Sequence, residues 1–303
     1  MLYFDSLNGH DMAAGTQAEP KLDPSLPYPG CGGLMLRRGR PPYKHAARVT
    51  LQTGTANAPF VLGAWGDGAK PVLDAQCVVD LQISGIDVTY AAVQSVDGVN
   101  QKSRFIHLGL ASGDPLTPRH ISISDCEGRY GFGAKGCGGI MAWGSEITYQ
   151  NVALRGYRED CLWHCGATFD ATDLTLEDPS AWSEGGGDCI QVWGLSQRLA
   201  VNGLYLRKTR TWDKQLGYFR GNGKPLGVCQ IDNIDGEGQS VGAGLVTLWD
   251  LPGLRGNGWK LNLTGGTAAA AIGGLGNMVG ARVLGAFTVP PGRLVASGGV
   301  LTA

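Results

Sequence analysis

One short pattern recurs along this chain: an apolar residue, a small turn-former two places on, and another apolar residue immediately after it. It is found as ISGIDV around Gly85, ISDCEG around Asp125, YQNVAL around Asn151, ATDLTL around Asp173, VNGLYL around Gly203 and IDNIDG around Asn233. The turn-former is always Gly, Asn or Asp, the residues that enter a left-handed backbone at least cost. Their aliphatic and β-branched flanks alternate as strands do. Each unit therefore reads as strand, one-residue bend, strand. The bends lie 40, 26, 22, 30 and 30 residues apart, so a unit has a floor near 22 residues and grows by insertion. Self-similarity at such periods is the mark of a coil of stacked repeats. A doubly wound α/β chain would need a helix between strands, but the intervening text is broken by glycine and has no sustained 3.6-residue apolar period. The pattern predicts an all-β, single right-handed parallel β-helix, a solenoid whose rungs sit about 4.8 Å apart.

Composition supports repeated turns and excludes several partners. Forty-nine glycines in 303 residues show no strict period of three, which excludes collagen. A formal charge of −1 offers no basic face for nucleic acid or a membrane surface. Residues 1–30 carry no basic region followed by an apolar run, because Asp5, Asn8, His10 and Asp11 interrupt it, so neither a signal peptide nor membrane insertion is expected. Eight cysteines stand singly, with Cys161 and Cys165 the only close pair, which favours mostly buried thiols over disulfides or zinc. DNIDGEG at 232–238 lacks the liganding pattern of a calcium loop. No metal and no cofactor is expected.

The opening YFDSLNGHDMAAGTQAEP and the later VTLQTGTANAPFVLGAWGDGAKPVLDA resemble the first segment of pectate-lyase-like right-handed parallel β-helix proteins, in which a strand, a GTxxxP turn and a PxxIGAYGxGxKPxxxA phrase precede the regular coil. Where such relatives often place a capping helix, this chain has KLDPSLPYPGCGG, whose prolines argue against one. The expected organisation is an N-terminal strand and Pro/Gly-rich capping region over 1–48, the coil over 49–265, and a Gly/Ala-rich cap or intersubunit segment over 266–303. The group includes lyases, hydrolases, epimerases and virus tailspikes, so the likeness specifies fold better than activity. The character of the chain is similar to bacteriophage tailspikes. That resemblance implies a virion tail appendage assembled in the host cytoplasm, a homotrimer joined to other virion tail proteins, and a bacterial polysaccharide as ligand.

GGIMAWG (138–144), DCLWHCG (160–166) and DCIQVWG (188–194) fall in one register. Ile140, Leu162 and Ile190 then point inward, as do Ala142, His164 and Val192, while Met141, Trp163 and Gln191 and then Trp143, Cys165 and Trp193 point outward. Flat apolar faces with polar rims suit sugar rings. Trp143, Trp163 and Trp193 are the candidate sugar-binding faces, with His164, Arg158, Gln191 and Arg210 as polar contacts. Asp160 and Asp188 occupy equivalent places on consecutive rungs, where two acids perturb each other and one holds a proton while the other stays ionised. Glycoside hydrolysis asks for such a pair, and Glu159 and Glu184 flank it as further candidates. GDCI resembles the GDDCI of polygalacturonases, with Gly187 where that family has its first acid, so the likeness carries only Asp188 across. Two other readings stand beside hydrolysis. The aspartates can be turn acids capping backbone amides in a non-catalytic structural or receptor-binding coil. A polysaccharide lyase could instead draw its base from Arg155, Arg158, Lys208, Arg210 or Lys214.

Overall fold

The computed structural model describes residues 1–45, 47–78, 81–110, 118–129, 138–179, 187–209, 215–240, 244–268 and 270–288. Among them there is no helix, and every pairing between the strands is parallel, which makes the fold a parallel β-solenoid. The chain forms two compact units, Met1–Ala153 and Leu154–Ala303.

In the first unit one sheet runs through Leu2–Phe4, Gly33–Arg37, Phe60–Trp65, Thr89–Gln94 and Arg119–Arg129, and a second through Val49–Thr50, Leu81–Gly85, Arg104–Leu108 and Ile140–Trp143. The opening strand pairs in parallel with Gly33–Arg37, fixed by the edge of Tyr3 against Trp65 and by Arg37 5.0 Å over the same indole. Between them the proline-rich segment forms turns, as its sequence predicts.

In the second unit the longer strands Thr168–Glu177, Arg198–Arg207, Val228–Ser240, Arg255–Gly266 and Arg282–Thr288 stack as one sheet. The shorter Leu162–Cys165, Ile190–Leu195, Gly217–Gly221, Val246–Trp249 and Ile272–Leu275 stack as another. Leu174 lies on Leu204 and Leu204 on Ile234, while Leu162 lies on Ile190, so like residues form continuous buried columns.

The bends follow the sequence pattern with one displacement. Asp125, Asn151, Asp173 and Asn233 take φ values of 52°, 51°, 54° and 55°, and Gly203 takes 78°. A single left-handed residue resets the alternation, so the apolar side chains two before and one after it both face inward. Gly85 is not a bend; it ends a strand of the second sheet, paired with Leu108. The bend on that rung is Ser95, with φ 55°, and Gly258 continues the series with φ 71°. A Cβ added at Gly203 would lie 2.5 Å from the Asp173 carboxylate below it. Gly203→Val is therefore expected to lower stability by about 2–3 kcal/mol in urea denaturation, while Asn233→Gly stays within about 1 kcal/mol.

The seven described cysteines are free thiols: Cys126, Cys161 and Cys189 are buried, Cys31, Cys165 and Cys229 half-buried, and Cys77 exposed. Cys137 and the last fifteen residues of the proposed 266–303 segment lie outside the described residues.

Candidate functional site

In the second unit the two residues before each short strand form a turn column, and the stacked acids predicted from the sequence lie in it. Asp160 Oδ1 accepts the backbone N–H of Asp188 at 2.7 Å, and Asp188 Oδ1 accepts the backbone N–H of Gln215 at 3.0 Å. Each acid thus caps the amide on the rung beyond its own. The same device recurs where Asp178 caps Thr209, Asp232 caps Asn257 and Asp250 caps Asn277. Capping is therefore a property of the scaffold, and what separates Asp160 and Asp188 from the other caps is their surroundings.

Asp188 is fully buried. Its Oδ2 accepts Gln191 Nε2 at 2.6 Å and Gln215 Nε2 at 3.3 Å. Gln191 Oε1 in turn accepts the indole N–H of Trp193 at 3.1 Å, so one hydrogen-bond chain runs from the buried carboxylate to an outward-facing ring. Lys208, only 3% exposed, donates to the carbonyls of Gly187 at 2.5 Å and Gln215 at 2.7 Å. Gly187 stands where the polygalacturonase phrase has an acid, and the packing explains the glycine. A Cβ there would meet the Glu159 backbone at 2.6 Å.

Asp160 is half-buried. Burial, followed by the negative charge of Asp188, pushes its carboxyl up to about 7. Its Oδ1 is used by the Asp188 amide, and its Oδ2 has no protein partner among the described residues. Asp160 is thus the more exposed member of the pair, while Asp188 is enclosed. Glu159 and Arg158 lie half-buried beside it. Glu184 and Arg210 lie outside the described residues.

The outward columns follow the predicted register. Trp163 is paired with Gln191, Gln191 with Tyr218, and Tyr218 with Thr247. Cys165 is paired with Trp193, and Arg220 with Trp249. The tryptophans are half-buried rather than fully open. Tyr218 packs against Trp193 with ring centroids 5.2 Å apart. Tyr218, Arg220, Trp249 and Thr247 are absent from the sequence-based site, although the signal was there: carrying the same register forward to GYFRG and VTLWD places them in these columns. Trp143 belongs to the first unit, where it is half-buried with the His107 ring 5.5 Å away.

His164 points inward and is fully buried, its Nε2–H donating to the Thr168 carbonyl at 2.9 Å and its ring meeting Phe169 edge-on. It is a core residue, enclosed beneath the face that a ligand could reach. Burial lowers it to about 4. The unfolded chain, with an ordinary histidine near 6.5, takes up this proton first, so His164 weakens the fold as pH falls from about 6.5 toward 4. Asp160 has the opposite sign: raised in the fold, it costs stability at high pH and that cost fades as pH falls from about 7 to 4. His164→Leu is expected to remove about 2 kcal/mol of acid-side loss between pH 6.5 and 4.5. Equal pH slopes for the variant and the parent protein in urea titrations would refute this.

No family model matches the chain, and no curated protein matches it. Among solved structures it is similar to a GH136 lacto-N-biosidase from Eubacterium ramulus. The selenomethionine derivative of that protein gives a TM-score of 0.48 at 11% identity, covering 94% of this chain and 66% of that one. The native form gives 0.44 at 11% identity, covering 95% and 68%. This chain thus spans just under two thirds of the length of the first.

Proposed function

We propose that this chain is a carbohydrate-active parallel β-helix that binds a bacterial surface polysaccharide, a capsule or O-antigen, and hydrolyses it with Asp160 as general acid. The observation that carries this reading is the connected set Asp160, Asp188, Gln191 and Trp193. A half-buried carboxyl that holds its proton near neutrality is joined by hydrogen bonds to an indole fixed on the outer face. A general acid needs its proton at working pH and a free oxygen to deliver it, and Asp160 Oδ2 meets both needs. Asp188 serves as the buried charge that keeps the proton in place. Glu159, or Glu184 from its loop, is the candidate for the second carboxylate that inversion or retention requires.

The resemblance to tailspikes supports placing such a coil on a virion as a trimer, and a single monomeric species in sedimentation would overturn that part. Lys208 does not suit the base of a lyase, because its ammonium donates to two carbonyls and is enclosed. The non-catalytic reading has an observation of its own in the amide caps made by Asp178, Asp232 and Asp250. The test is a panel of capsular and O-antigen polysaccharides assayed for new reducing ends, with mass analysis of products. Hydrolysis predicts fragments carrying an added water, and a lyase predicts an unsaturated end. Retention of glycan without cleavage leaves the binding module alone.

A further inference from the structure

Arg220 projects from the outer face with its guanidinium 5.5 Å from the Trp193 ring centroid and 5.5 Å from that of Trp249. Two indoles on either side occupy the faces of the cation. They leave its N–H edge, where the Tyr218 hydroxyl takes one hydrogen bond, and of the five N–H groups of a guanidinium the others remain to meet a carboxylate in fork geometry. Among the described residues no carboxylate pairs with it. The adjacent acid, Asp250, turns its Oδ1 to the Asn277 amide at 2.7 Å. A second observation points the same way. On the rung beside Tyr218, Thr247 is 3% exposed and its hydroxyl has no hydrogen-bond partner among the described residues. A buried hydroxyl without a partner costs on the order of 1–3 kcal/mol, a cost that a ligand oxygen would remove.

We propose that Arg220, held between Trp193 and Trp249, is a specificity-determining residue that reads the carboxylate of an acidic sugar, with the Thr247 hydroxyl bonding the same residue of the glycan. This rests on the glycan-binding reading above and names its substrate class as carboxylate-bearing polysaccharide. The chain has a net charge of −1, so selection of an acidic polymer must come from a local cation and not from bulk attraction. Stacking also fixes the guanidinium before the ligand arrives, which lowers the entropy lost on binding.

The experiment uses the full chain and matched probes: hyaluronan, alginate and polysialic acid, each beside its carboxyl-reduced form, with dextran and galactomannan as neutral glycans. Binding is read by quenching of tryptophan fluorescence and by affinity electrophoresis. At least one acidic glycan is expected to bind about 10-fold or more tighter than its carboxyl-reduced form. Arg220→Gln is expected to abolish that preference, and Arg220→Lys to restore only part of it, because a lysine keeps the charge without the fork. Thermal melts of both variants confirm folding, and the carboxyl-reduction arm needs no variant at all. Equal binding of acidic and reduced forms, or an unchanged preference in Arg220→Gln, overturns the proposal while leaving glycan binding intact. Failure of every glycan, acidic or neutral, to bind or be cleaved overturns both readings together.

Discussion

Asp160→Asn is expected to lower polysaccharide hydrolysis by about 10²–10⁴-fold, the usual worth of a positioned general acid, with glycan binding changed less than about 3-fold. The substitution is nearly isosteric, and the asparagine carbonyl can still accept the Asp188 amide, so the rung-to-rung cap survives. What is lost is the proton on Oδ2. In the parent protein the rate should fall as pH rises through about 7, where Asp160 gives up that proton. Asp188→Asn removes the charge that helps hold it, so the alkaline limb should move to lower pH while the maximal rate persists. Full activity of Asp160→Asn across the pH range would assign Asp160 to the scaffold, alongside Asp178 and Asp232.

Lys208→Met is expected to lower stability by about 3–5 kcal/mol. The ammonium of Lys208 satisfies two carbonyls at 2.5 and 2.7 Å, and its positive charge offsets the acids around it, lowering the carboxyl of Asp160. Methionine fills the volume but removes both of those hydrogen bonds and leaves the enclosed Asp188 carboxylate without that compensation. The double variant Lys208→Met with Asp188→Asn should recover part of the loss, because it removes the stranded charge. A loss below about 1 kcal/mol for Lys208→Met would show that its burial contributes no net compensation.

The fold was largely legible because the solenoid repeats one physical constraint: every rung needs a residue that accepts a left-handed backbone between two inward apolar residues. The reading failed at Gly85, where the same letters end a strand, and missed Ser95, a residue with no special tolerance for that conformation. Replacing Gly85 by Ser95 turns the anomalous spacing of 40 into 30. The site was legible as a register and less so as a chemistry. Periodicity stacks Asp160 and Asp188 correctly, but it does not reveal that Asp188 is sealed off by Gln191 and Gln215. Nor does it reveal that Lys208, written as part of a basic run, folds inward to two carbonyls. Two of those contacts, Asp188 with Gln215 and Lys208 with Gly187, join residues 27 and 21 apart, which the alternation of a single strand does not encode.

The amide caps have a consequence for how such a chain can change in length. Asp160 grips Asp188 across 28 residues, and Asp188 grips Gln215 across 27. Because donor and acceptor stand at the same place on these successive turns, removal of residues 161–188 would set Asp160 where Asp188 stands, facing the Gln215 amide. A cut that removed only part of that turn would leave the carboxylate facing the wrong atom. The caps thus act as a reading frame, in which whole turns can be gained or lost and partial ones cannot.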